Sequence, residues 1–295
     1  MDLAATTTSL TSVVDIDRLP VLPMVVARLL SLDPEDEGYF EQVRRLVATE
    51  PTYAVRLVRA ANTVETTARQ QVQTLPVAMV RLGARRVSSL IVSMGVVRVF
   101  VPRNAWEKSL WVHAVQVASG ARHLARLARD PDLDPEAAYL AGLLHDIGRF
   151  LLFDIAPEEL RQVDEADWAD PQALVEAERA IVGMDHAELG AIACERWGMP
   201  ESIVSIVRHH HGCPCDPRLG GGLSRLGELV AVADTAMFGS LKHGVPPLSE
   251  MPLEEAMIRL DRALPSWFTH RGSGVVRDLR RVEEAASAAV HLMGI

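Results

Sequence analysis

Apolar side chains recur along most of this chain at intervals of three and four residues, the period that gathers them on one face of an α-helix. Val25, Leu29 and Leu32 form one such series, followed by Phe40, Val43, Leu46 and Val47, then Val55 and Val58, then Val87, Leu90, Ile91 and Met94. The strict alternation of a half-buried strand is scarce. Proline punctuates the starts of the predicted helices, at Asp134-Pro135-Glu136, Ala156-Pro157-Glu158, Asp170-Pro171-Gln172, Met199-Pro200-Glu201 and Met251-Pro252-Leu253. A proline in the first turn loses no hydrogen bond and presets the backbone angle, so these breaks predict many short helices. The pattern predicts an all-α fold, a multi-helix bundle in two lobes.

Four segments follow. Residues 1–17 are rich in Thr and Ser and read as a flexible tail. Residues 18–102 form an N-terminal helical lobe with few titratable groups suited to chemistry, ending at the polar seam Pro102-Arg103-Asn104. Residues 103–240 form a second helical lobe, and residues 241–295 a helical extension. Within the second lobe, nine carboxylates between Asp154 and Glu178 face only Arg161, which predicts a solvated pair of surface helices. The glycines and prolines of residues 212–222 predict a loop.

Composition narrows the function classes. With 48% hydrophobic and 23% charged residues in a chain of 295, there is enough apolar surface to exclude wholesale disorder. No run approaches the ~18 uninterrupted apolar residues of a membrane span, and the start lacks a basic stretch leading into an apolar one. No membrane partner and a cytoplasmic location are therefore expected. A net charge of −9, without a basic block interleaved with aromatics, argues against nucleic acid as a partner. Of the 30 basic residues only Lys108 and Lys242 are lysines. Three cysteines cannot build a disulfide framework at this length and fit a reducing compartment.

The candidate chemistry lies in histidines and aspartates that interrupt apolar helical runs. His145 and Asp146 stand adjacent in Leu140-Ala-Gly-Leu-Leu-His-Asp-Ile-Gly-Arg149, His113 in Leu110-Trp-Val-His-Ala-Val, and Asp234 in Leu229-Val-Ala-Val-Ala-Asp-Thr-Ala. His186 opens Asp185-His-Ala-Glu-Leu-Gly, and His209, His210 and His211 close the segment that begins at Pro200. Burying an ionised Asp without a partner costs several kcal/mol, so such a set calls for a metal or a mutual ion pair. Imidazole and carboxylate donors without thiolate suit divalent iron, manganese or zinc, one or two ions, in hydrolytic use. Phosphoester hydrolysis is the reaction class that fits.

Two competing readings use the same residues. In one, the polar groups simply pair with one another in a dry core. In the other, His209-His-His-Gly-Cys213-Pro-Cys215 forms a separate zinc site, although a single residue between the cysteines is shorter than the usual gap. His123, His243, His270 and His291 read as ordinary surface or core histidines, and Cys194 as a small core residue.

Taken together, these motifs resemble the HDOD family, signalling domains related to the HD phosphohydrolases and HD-GYP phosphodiesterases, over roughly residues 19–238. In the first half the likeness rests on Leu19-Pro-Val-Leu-Pro23, on Glu50-Pro51 with Leu57-Val-Arg-Ala-Ala-Asn62-Thr63, and on Ala78-Met-Val-Arg-Leu82-Gly83. In the second half it rests on Trp111-Val-His113, Leu140 to Gly148, and Met199 to His211.

The resemblance implies an HD-domain-like C-terminal lobe with metal ligands at His113, His145, Asp146, His186, His210, His211 and Asp234, with His209 replacing an aromatic. Asp146 would be catalytic as well as a ligand. Arg149, also assigned a catalytic role, stands where the phosphodiesterases carry a lysine near phosphate, and would neutralise that charge. Gly212 replaces an acidic residue and no Gly-Tyr-Pro loop follows, so the likeness does not extend to cyclic di-GMP as substrate. Two functions are expected. One is a signal-transduction protein that hydrolyses a nucleotide or cyclic dinucleotide phosphoester. The other is a non-catalytic scaffold that binds partner signalling proteins.

Overall fold

The structure, a computed structural model, describes residues 19–48, 51–62, 71–166, 168, 171–211, 221–240 and 245–292. Among them every regular element is helical. The first five helices, α1 (Met24–Leu30), α2 (Tyr39–Ala48), α3 (Pro51–Ala61), α4 (Leu75–Leu82) and α5 (Ala84–Val99), pack on one another. Next come α6 (Ala105–Ala128), α7 (Pro135–Leu144), α8 (Ile147–Ile155), α9 (Pro157–Glu165) and α10 (Pro171–Ile181). They are followed by α11 (His186–Arg196), α12 (Glu201–His209), α13 (Gly221–Met237) with a 3₁₀ turn over Phe238–Ser240, α14 (Leu253–Ala263) and α15 (Ser273–Leu292).

All five proline signals open helices. Pro135, Pro157 and Pro171 are first residues, while Pro200 and Pro252 cap the helices that begin one residue later. Asp134 completes its cap by accepting the Glu136 N–H at 2.9 Å, which satisfies one of the donors a helix start leaves unpaired.

The long α6 is the axis of the second half, with α7, α13 and α15 packed along it. Gly142 sets the α6–α7 contact, since a Cβ there would stand 2.8 Å from the Ala118 Cα. The two halves meet at an aromatic cluster: Phe100 lies 6.0 Å from Phe150 and 6.3 Å from Trp197, and Trp111 lies 4.6 Å from Phe150. Trp197 donates to the Pro20 carbonyl at 2.8 Å, tying the leucine-proline opening to the end of α11. Asn62 donates to the carbonyls of Val58 and Val72 and accepts the Val72 N–H, clamping the chain across the intervening segment.

Two expectations from the pattern are corrected. Val55 does not face the core: α3 turns Tyr53, Leu57 and Ala61 inward and leaves Val55 63% exposed. Nor is the acidic stretch uniformly solvated. Glu178 is wholly buried and Asp164 is half-buried in an ion pair with Arg149.

Candidate metal centre

The apolar run that holds His145 and Asp146 breaks at those two residues. Helix α7 ends at Leu144 with His145 as its cap, and α8 begins at Ile147 with Asp146 (φ −98°, ψ 15°) before it. This corner lets consecutive side chains point into one space, which an unbroken helix would splay about 100° apart. Gly148 brings α11 to the corner, because a Cβ there would stand 1.9 Å from the His186 carbonyl oxygen. His113 arrives from the middle of α6, Asp234 from α13, and His210 and His211 from the end of α12.

Asp146 lies at the centre. Its Oδ2 is 3.5 Å from His145 Nε2 and 3.8 Å from His113 Nε2, while its Oδ1 is 3.1 Å from His186 Nε2 and 3.4 Å from His210 Nε2. Asp234 Oδ1 closes the first side, 3.0 Å from His113 Nε2 and 3.7 Å from His145 Nε2. His211 closes the second, its Nε2 2.9 Å from that of His186. Two donor groups that share Asp146 therefore adjoin: His113, His145 and Asp146, and Asp146, His186, His210 and His211. His211 is half-buried and the others are buried.

The outward nitrogens fix how the rings present themselves. Nδ1 of His145 donates to the Gly142 carbonyl at 2.8 Å and Nδ1 of His210 to the Val207 carbonyl at 2.6 Å. Nδ1 of His113 faces the Met237 carbonyl at 3.3 Å, and Nδ1 of His186 donates to the Glu178 carboxylate at 2.5 Å. Carbonyls and carboxylates can only accept, so each neutral ring carries its proton outward and turns a bare Nε2 lone pair inward. That is the arrangement in which histidines bind metals.

The electrostatics follow from crowding. Burial opposes charge on Asp146, but His145 and His186 hold its carboxyl well below the usual range, and His113 and His145 do the same for Asp234. Burial also opposes the His186 imidazolium, yet Glu178 and Asp146 raise it to about 10. Burial and the neighbouring rings lower His210 and His211.

A cation fits this donor set better than mutual pairing does. Five imidazole Nε2 atoms converge on two carboxylates, which accept hydrogen bonds but bring no proton to share with bare ring nitrogens. Among them the buried His145 Nε2 and Asp146 Oδ1 have no hydrogen-bond partner. Buried polar atoms left this way cost about 1–3 kcal/mol each, which a bound ion would remove.

The structure brings together every residue expected as a ligand, and it leaves His209 out. The His209 ring turns back to the Ser205 carbonyl, 2.9 Å away. Arg149 is 1% exposed and donates to Asp164 at 2.9 Å, with Glu178 3.8 Å away. Its guanidinium thus engages the carboxylates behind His186. Cys213, Cys215 and His243 lie outside the described residues. Burial pushes the Cys194 thiol up to about 12, which makes it inert.

Glu178 is the functional position missed in the sequence. It reads as part of an acidic surface run, yet it shares a face of α10 with buried Leu174 and Val175, four and three residues earlier. A carboxylate on an apolar stripe signals a buried partner, here His186.

Comparison with known proteins agrees with this architecture. The model of the HDOD domain matches residues 19–213, and the chain belongs to that family. An uncharacterized protein of Treponema pallidum is 27% identical over 206 residues, which cover 68% of this chain and 40% of that protein. Ribonuclease Y of Thermus thermophilus is 29% identical over 160 residues, 54% of this chain and 21% of the enzyme, so the chain spans less than half of either relative. An HDOD domain protein of unknown function from Geobacter sulfurreducens shares the fold at a TM-score of 0.72, with 23% identity and 94% of each chain covered. A candidate phosphohydrolase from Shewanella amazonensis shares it at 0.71, with 22% identity over 93% of this chain and 96% of that one. No described helix is long and apolar enough to cross a membrane.

Proposed function

We propose that this chain is a signalling protein that binds one or two divalent metal ions and hydrolyses a phosphoester of a nucleotide or cyclic dinucleotide. The observation that carries the proposal is the sharing of Asp146 between two adjoining donor groups. His113, His145, Asp146 and Asp234 would hold the first ion, and His186, His210 and His211, with the other oxygen of Asp146, the second. When bound, such ions acidify water and polarise phosphoryl oxygens, the chemistry that phosphoester cleavage needs. The chain's own residues orient the donors through their outward hydrogen bonds and keep bulk water from the centre. Arg149 and Glu178 hold His186 in register. The partial likeness to ribonuclease Y, named for cleaving RNA, supports a phosphodiester as the bond attacked.

The test is a turnover assay with manganese- or iron-loaded protein on cyclic and linear dinucleotides, nucleoside triphosphates and a short RNA. Metal-dependent cleavage that disappears in His145→Ala is expected. A loaded protein that cleaves none of them overturns the enzymatic part.

A second reading, a non-catalytic scaffold for partner signalling proteins, is favoured by exposed apolar side chains in the first half. Met24 is 69% exposed, Val77 51% and Val80 73%. Partner binding that survives His145→Ala would support it.

A further inference from the structure

The cluster is closed on most sides. Side chains of His113, His145, His186 and His210 have no exposed surface, and Asp146 has 3%. Exposure rises only toward Asp234, at 8%, and toward half-buried His211. A ligand that reaches the centre comes in beside Asp234 or beside His211.

Arginines around the centre are mostly neutralised. Arg149 is engaged by Asp164 and Glu178, Arg179 by Asp185 at 2.7 Å, and Arg208 by Glu188 and Glu195. Arg259 of α14 differs. It is half-buried, and no carboxylate among the described residues lies within ion-pair distance of it. Its guanidinium stacks over the Phe238 ring, 5.9 Å from the centroid. Phe238 follows Asp234 by one helical turn and packs edge-on against Trp168, ring centroids 6.3 Å apart, so a second aromatic backs the ring beneath Arg259. Burial lowers the Arg259 guanidinium, against the fields of Asp234 and Glu255. A half-buried guanidinium that no carboxylate among the described residues ion-pairs, and that lies within electrostatic reach of Asp234, can take an anion as its direct partner.

We propose that Arg259 binds the phosphate of a ligand entering at the Asp234 edge of the cluster, so that the segment after the matched family region completes the site. The inference rests on the proposed metal centre. The ligand is phosphate-bearing, and Arg259 makes the phosphate contact. Stacking on Phe238 holds the planar fork in place, and a fork can take two phosphate oxygens at once.

Inorganic phosphate, titrated calorimetrically into the manganese-loaded full chain, tests this, with metal content measured on every sample. Arg259→Ala is expected to weaken phosphate binding at least ~10-fold, the loss of a charge-assisted hydrogen bond, with metal content unchanged. Arg259→Lys recovers part of the affinity, and Arg262→Ala, on the exposed side of the same helix, changes nothing. Should Arg259→Ala fail to fold, Arg259→Gln, which keeps part of the aliphatic stem but removes the charge, is read instead. Normal metal content with unaltered phosphate affinity overturns the role of Arg259 and leaves the metal centre standing. A wild-type chain that takes up no metal overturns the proposed function and this inference together.

Discussion

One carboxylate oxygen of Glu178 accepts two hydrogen bonds from His186, from its backbone N–H at 2.9 Å and from its Nδ1–H at 2.5 Å. The pair fixes both the start of α11 and the plane of the ring, so the Nε2 atom that faces Asp146 is aimed by a residue that never touches the centre. Glu178→Ala should therefore weaken metal binding about 10–100-fold, the range for losing such a supporting carboxylate. Glu178→Gln, whose carbonyl oxygen can still accept both bonds but without the charge, should lose less. Competition titration with a chromophoric chelator distinguishes them, and equal affinity in all three proteins would show that Glu178 positions nothing.

Because Asp146 serves both donor groups, its removal should differ in kind from loss of a histidine that serves one. Asp146→Asn is expected to lower occupancy at both positions. His113→Ala should lower only the first, leaving the His186, His210 and His211 group able to bind. Metal-to-protein ratios at graded free metal would check this.

Metal uptake should weaken as pH falls. With His186 raised to about 10, the metal-free protein carries a proton there at neutral pH that an incoming ion must displace. Calorimetry in buffers of different ionisation enthalpy would detect the released proton, and binding without release contradicts the assignment of His186.

The same shifts set the stability of the metal-free protein. His186 lies above its ordinary value of 6.5, so its contribution is complete below that pH and is lost as pH rises toward about 10. Asp146 and Asp234 lie below theirs, so their contribution is present above the ordinary carboxylate value of 3.8 and is lost as acid protonates them. Thermal unfolding with excess chelator should show a maximum between about pH 3.8 and 6.5, falling off toward neutral and alkaline pH and in strong acid.

Gly148→Ala should be among the more damaging small substitutions. The added methyl would collide with the backbone of α11, which cannot move aside as a side chain could. A cost of about 3 kcal/mol is expected from overpacking, read as a lower Tm together with weaker metal binding.

The fold was largely legible in the sequence because its signals are local. Proline in a first helical turn and apolar residues at helical spacing act within a few residues, and the helices opening at 135, 157, 171, 201 and 253 follow from them. What failed was the rotation of helices about their axes. Val55 looks as apolar as Leu57, and only tertiary packing decides which faces inward.

Of the candidate site, the residues that interrupt apolar runs could be found because burial penalises them wherever the chain goes. The supporting residues could not be ranked that way. Glu178 was hidden in an acidic run, and Arg259 carries no local signal, since its meaning comes from Phe238 and Asp234, which lie on another helix and the turn that follows it.

The central claim is that these donors hold divalent cations, and the most direct measurement is the metal content of the full chain by inductively coupled plasma mass spectrometry. Protein produced with iron and manganese supplied and purified without chelators should carry between one and two ions per chain, falling sharply in Asp146→Asn. A stoichiometry near zero at saturating metal, with the protein folded, would contradict the account and leave the cluster as ion pairs in a dry core.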